Sequence, residues 1–114
     1  MMIQRVLAQM TVTDLDRAVE WYTHVFGRGP DARPMDGLVE WHFAETFGVS
    51  VWTEPGRAGY STVVLAESDL DSRIAHLDRE SIRYDGPRDV TASRLLELVD
   101  PDGNQIMFTG AFTT

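Results

Sequence analysis

Thr13-Asp14-Leu15-Asp16 opens one amphipathic run of this chain, and Ser68-Asp69-Leu70-Asp71 opens another 55 residues further on. Two half-length copies of one unit imply a duplicated fold, and a repeat at this spacing has to be recognised before any other assignment is made. Around the anchors the runs agree in kind: Val19 falls opposite Ile74, Tyr22 opposite Leu77, and an apolar, β-branched stretch precedes each (Val6 to Val12, Thr62 to Ala66). The unit reads strand, capped helix, then more strands. A functional site is expected between the halves.

Residues 3–12 alternate as a half-buried strand, with Ala8, Met10 and Val12 on one face and Leu7, Gln9 and Thr11 on the other. Thr13 reads as the N-cap of the first helix with Asp16 three residues on, an acidic variant of the capping box. Leu15, Ala18, Val19, Tyr22, Val25 and Phe26 form its apolar stripe, and Gly27 ends it ahead of Gly29-Pro30. Residues 37–45 and 48–54 alternate again and read as a hairpin turning near Gly48. Pro55 to Gly59 is the one plausible linker. The second unit repeats the order with a strand over 60–67, a helix over 69–80, and strands near 82–89, 91–99 and 104–109. Asp100-Pro101-Asp102-Gly103-Asn104 is a dense turn signal before the last strand. The expected organisation is one domain over 1–114, with unit one at about 1–55 and unit two at about 60–114.

At 114 residues and 43% hydrophobic the chain suits one globular core, close to the size at which burial is only about two-thirds complete, so oligomerisation would help it. The net charge of −8 argues against a nucleic-acid footprint and makes a cationic or neutral ligand easier to attract. With no Cys, disulfides, thiolate metal sites and thiol catalysis are excluded, which suits a reducing cytosol. The start Met1-Met2-Ile3-Gln4-Arg5 lacks a signal-peptide core, and no run approaches the ~20 apolar residues of a membrane span. The expectation is a soluble cytoplasmic protein without membrane or nucleic-acid partners.

The βαβββ unit used twice, the Val12-x-Asp14-Leu15-Asp16 helix start, the Trp21-Tyr22 pair, the Val25-Phe26-Gly27 helix end and the 100–104 turn before an apolar strand together resemble the vicinal oxygen chelate superfamily. This is the glyoxalase, bleomycin-resistance and ring-cleaving dioxygenase group, and the resemblance covers essentially the whole chain. It implies an α+β fold in which the two units form an incompletely closed mixed β-barrel around a cleft. It also implies a divalent metal in many members, held seven residues before each helix-start Asp and three residues past the Asn of the final turn. Those positions are Leu7, Thr62 and Met107 here, none a useful ligand for a hard or borderline cation. The expected chain therefore carries no metal and no other cofactor.

If Ile106 and Phe108 face the helices, the cleft is lined by Leu7, Gln9, Thr62, Val64, Gln105 and Met107, an apolar surface with sparse amide and hydroxyl groups of the kind that binds small molecules. Trp41 and Trp52, on adjacent strands, either stack on a planar or cationic ligand or serve packing, and Trp21 reads as packing or interface. His24 and His76 fall on polar helix faces. His42 shares a strand face with Glu40; it is a general acid or base, or a displaced ligand with Glu40 or Glu45, unless it is simply a strand histidine at a solvent or dimer surface. Glu40, Glu45, Glu54 and Glu97 are strand carboxylates that either serve a ligand or line a wet face.

Two functions compete. One is a metal-free binding protein similar to the bleomycin-resistance branch, sequestering an aromatic or cationic organic molecule in clefts of a homodimer. The other is an enzyme: a cofactor-independent isomerase, epimerase or cyclase using His42 or a cleft Glu, or a lyase or dioxygenase with relocated ligands. An accessory domain without a ligand is the blandest alternative.

Overall fold

The computed structural model describes residues 2–111; Met1 and residues 112–114, where the two sequence-read units begin and end, lie outside the described residues. The elements run β1 (Val6–Val12), α1 (Leu15–Phe26), β2 (Ala32–Met35), β3 (Leu38–His42), β4 (Phe47–Thr53), a single 3-10 turn at Pro55–Arg57, β5 (Thr62–Ala66), α2 (Leu70–Arg79), β6 (Asp85–Asp89), β7 (Arg94–Val99) and β8 (Gln105–Gly110). Two four-stranded mixed sheets result, ordered β1-β4-β3-β2 and β5-β8-β7-β6. In each, the first strand of the unit lies parallel to the last, and the remaining pairs are antiparallel. The duplicated βαβββ architecture is thus present, and the sheets do not close into a barrel.

Each helix covers one face of its own sheet. Buried against α1 are Met10 and Val12 of β1, Val39 and Trp41 of β3, and Val49 and Val51 of β4, while Leu96, Leu98, Ile106 and Phe108 form the corresponding layer in the second unit. All of these belong to one hydrophobic cluster that also takes in Tyr22, Val25 and Leu77 from the helices. Rings of Tyr22, Phe26 and Trp41 meet at 5.6 to 5.9 Å, an arrangement worth about 0.5–1.5 kcal/mol per pair beyond the area buried.

Three local expectations change. The N-cap of α1 is Asp14 rather than Thr13: its carboxylate accepts the Arg17 N–H at 3.2 Å, as Asp69 accepts that of Ser72 at 3.0 Å before α2. Thr13 is drawn away by Asp102, to which its hydroxyl donates at 2.7 Å. The second change is an additional edge strand, β2, which alternation did not reveal because Ala-Arg-Pro-Met is short, carries a proline and is largely exposed. Finally, the linker is folded: Gly59 donates its N–H to the Thr11 carbonyl at 3.3 Å, laying the connection against the end of β1.

Candidate functional site

No helix covers the opposite faces of the sheets, although Thr11 and Ser50 on the first of them are buried. Strand register arranges their side chains in rows: Leu7, Gly48 and His42; Gln9, Ser50 and Glu40; Thr11, Trp52 and Leu38. The second sheet has Thr62, Gln105 and Val99; Val64, Met107 and Glu97; Ala66, Thr109 and Leu95. Leu7, Gln9, Thr62, Val64, Gln105, Met107 and Trp52 therefore share the non-helical faces of their sheets. In the single chain these faces form no enclosed cleft, since Val64 and Val99 are each 59% exposed.

Trp41 stands apart from this set. The sequence paired it with Trp52, yet Trp41 registers with Val49 and Trp52 with Leu38, so the two indoles project from opposite sides of the sheet. Trp41 is fully buried under α1, its indole N–H donating to the Arg28 carbonyl at 3.0 Å, and it cannot meet a ligand there without the core opening. Trp52 is half-buried on the open face and donates to Glu54 at 2.9 Å.

Glu40 and His42, two residues apart on β3, are brought together: the Glu40 carboxylate lies 2.8 Å from His42 Nε2, and both side chains are largely covered. Such a contact favours a proton on Nε2 and leaves Nδ1 as the potential acceptor. By register, Glu97 is the counterpart of Glu40 in the second unit, and it is held at 2.7 Å by Arg88. The Glu45 carbonyl accepts from Arg5 Nε at 3.0 Å. His24 faces Glu80 at 3.3 Å, and His76 Nε2 sits 2.6 Å from the His24 carbonyl, so these two histidines join the helices rather than line a site.

The turn before β8 does more than reverse the chain. Asp100, buried from solvent, accepts from Tyr22 Oη at 2.7 Å, from Asn104 Nδ2 at 2.8 Å, and from the N–H groups of Asp102 and Asn104 at 2.9 Å. Asn104 also donates to the Thr11 carbonyl at 2.8 Å, fastening unit two to unit one. Burial pushes the Tyr22 phenol far above its ordinary range, and the adjacent Asp100 charge pushes it further. Sequence reading saw only the turn signal, because the partners are 78 and 93 residues away.

A pocket of about 560 Å³ also lies between the units, bounded by Phe43 and Phe47 on one side and by Ala66, Glu67 and Arg73 on the other. Among the sequence candidates only Val64 borders it. Phe43 falls within the alternating run 37–45 and Phe47 between the two runs, and nothing in the local pattern singles out either of them or Arg73, because they come together only across the units.

The profile of the Glyoxalase/Bleomycin resistance protein/Dioxygenase superfamily matches residues 3–108. The chain belongs to this superfamily. No curated protein matches it at a significant level. Among solved structures, a glyoxalase/bleomycin resistance protein from Catenulispora acidiphila superposes with a TM-score of 0.88 at 23% identity, over 95% of this chain and 98% of that one. A bleomycin-binding protein in complex with bleomycin gives 0.79 at 18% identity, over 95% and 98%. An antibiotic-binding protein, TnmS3 from Streptomyces sp. CB03234, gives 0.72 at 21%, over 98% and 100%. These likenesses are of fold.

For the divalent metal that the superfamily implies, the aligned side chains are the aliphatic Leu7, the hydroxyl of Thr62 and the thioether of Met107, which do not fit the cation. Among the described residues no three His, Cys, Asp or Glu side chains gather closely enough to hold a metal elsewhere. No helix among them is long and apolar enough to cross a membrane.

Proposed function

We propose that this chain acts as a single-domain, metal-free binding protein of the bleomycin-resistance type, sequestering an aromatic or cationic organic molecule in the cytoplasm. The carrying observation is the pair of sheet faces without a helix over them, on which Leu7, Thr62 and Met107, none of them a ligand for a divalent cation, stand at the aligned metal positions and a half-buried indole, Trp52, sits in contact with a carboxylate, Glu54. An indole face and nearby carboxylates suit a planar cation, at about 0.5–2 kcal/mol per ring contact. Val64 in mid-face and Val99 at the end of β7, both exposed, call for cover, and a two-fold homodimer setting unit one of each copy over unit two of the other would enclose two clefts.

Titration with bleomycin and with smaller planar cations, followed by tryptophan fluorescence, tests this reading alongside light scattering. The expected result is a dimer whose emission is quenched saturably, with Trp52→Leu losing both quenching and affinity. A monomer at tens of micromolar, or binding indifferent to Trp52, would overturn it.

The His42–Glu40 contact favours a second reading, in which the same face catalyses a cofactor-independent proton transfer with His42 Nδ1 as base. Turnover of any bound compound that disappears in His42→Ala and falls in Glu40→Gln would move the assignment from sequestration to catalysis.

A further inference from the structure

The two units meet at two junctions related by the internal repeat, and only one is closed. Register makes the residues equivalent: Leu7 pairs with Gly48 as Thr62 pairs with Gln105, and His42 pairs with Gly48 as Val99 pairs with Gln105. Phe43 and Phe47 therefore occupy the places of Asp100 and Asn104, and the turns match, with Phe43 N–H donating to the Phe47 carbonyl as Asp100 N–H does to that of Asn104. On the facing side Ala66 stands for Thr11 and Leu77 for Tyr22. Where the first junction is stitched by hydrogen bonds of Asp100 and Asn104, the second presents phenyl rings and the pocket of about 560 Å³.

The polar side chains at this second junction are Glu67, Ser68 and Arg73, of which Arg73 is the cation. Its guanidinium lies 5.2 Å over the Phe108 ring, and its side chain is only 20% exposed. One Nη1 hydrogen goes to the Val25 carbonyl at 2.9 Å; Nη2 reaches Glu67 only at 3.5 Å, and Nε is buried without a partner. With Nε enclosed, it is Nη2, held only loosely by Glu67, that has donors to spare, and a carboxylate is the acceptor that best suits a guanidinium. The phenyl rings of Phe26 and Phe43, 4.9 Å apart edge to face, and that of Phe47 supply an aromatic wall.

We propose that this open junction binds a small aromatic carboxylate, its ring among Phe43, Phe47 and Val64 and its carboxylate on Arg73 in place of the loosely held Glu67. The volume falls within the roughly 300–1,000 Å³ of small-molecule sites and accommodates a two-ring compound. The net charge of −8 opposes an anion only at long range, because salt screens exposed charges beyond about 8 Å whereas Arg73 acts at contact. This site shares Val64 with the non-helical face of the second sheet but uses neither Trp52 nor Met107, so the two readings are told apart by which residues a ligand shifts.

The test uses the full chain, ¹⁵N-labelled, with 1-naphthoate, 1-naphthalenemethanol and 1-naphthylmethylamine as probes. Naphthoate is expected to bind at least tenfold more tightly than the other two, shifting amides at Phe43, Phe47, Ala66 and Glu67. Arg73→Gln should erase that preference while leaving the weak binding of the neutral alcohol. Because Arg73 also holds the end of α1, Phe47→Ser serves as a second variant that leaves the guanidinium untouched; it should weaken all three probes with circular dichroism unchanged. Equal or tighter binding of the amine, shifts confined to Trp52 and Met107, affinities unmoved in Phe47→Ser, or no saturable binding of naphthoate at millimolar concentration would overturn the assignment.

Discussion

Replacing Tyr22 with Phe removes one oxygen from a buried network and leaves the ring stack in place. The hydroxyl is fully enclosed and donates at 2.7 Å to a carboxylate that is itself only 4% exposed. A hydrogen bond to a charged group contributes about 1.5–3 kcal/mol net. Asp100 keeps its other three donors, so no backbone group is orphaned, and the loss should be about 2 kcal/mol. For a chain of this length that corresponds to a fall of roughly 6–12 °C in Tm. Asp100→Ala should cost clearly more, about 3–5 kcal/mol, because it removes the acceptor of the Tyr22 hydroxyl and of two backbone N–H groups and one of the two acceptors of the Asn104 amide. Urea denaturation of the wild type and both variants, with m-values compared, measures these differences. Tyr22→Phe within about 0.5 kcal/mol of wild type, or Asp100→Ala no worse than Tyr22→Phe, would refute the view that this network fastens the two units.

Other substitutions and conditions follow the same logic. Since the folded Tyr22 phenol ionises only well above its unfolded value of about 10, its contribution is complete below that pH and lost as pH climbs past it; alkaline melts should show Tm falling above about pH 10. Tyr22→Phe should make that fall shallower without abolishing it, because Tyr84, bonded to Asp78, is also shifted upward. Gly48→Ala should destabilise by about 3 kcal/mol or abolish folding, since a Cβ there collides with the Trp41 carbonyl oxygen and crowds Leu7, as thermal melts would show. Trp41→Ala should cost about 3–5 kcal/mol yet leave ligand-dependent quenching of Trp52 intact, whereas loss of quenching in a folded Trp41→Ala would place the ligand elsewhere.

The duplication was legible because it is written in capping carboxylates and apolar spacing, both local signals. Alternation also assigned Leu7, Gln9, Gln105 and Met107 to the faces that the register gives them. It left the roles of Trp41 and Trp52 open, because both strands were recognised but their mutual register depends on a turn whose length alternation does not specify. The one-residue error at the first cap has a similar origin, for Thr13 is a good capping residue until Asp102 occupies its hydroxyl from across the chain. The closed and open junctions between units were invisible for the same reason: Tyr22 bonds Asp100, and Phe47 and Ala66 come to border one pocket, only after both sheets exist.

The parallel closure of each sheet carries a kinetic consequence. Val6 must find Phe47, and Thr62 must find Gln105, before either sheet is complete, so the contacts that define each unit have high sequence separation and folding is expected to be slower than for a helical chain of equal length. During synthesis the order is fixed by the ribosome. Unit one has all its strands once Thr53 has emerged, yet the Thr11 carbonyl and the Tyr22 hydroxyl have no partners from Asn104 and Asp100 until the last turn is made. The nascent first half therefore waits without these cross-unit bonds, and the 100–104 turn acts as a late latch that converts two tethered half-folds into one cooperative structure.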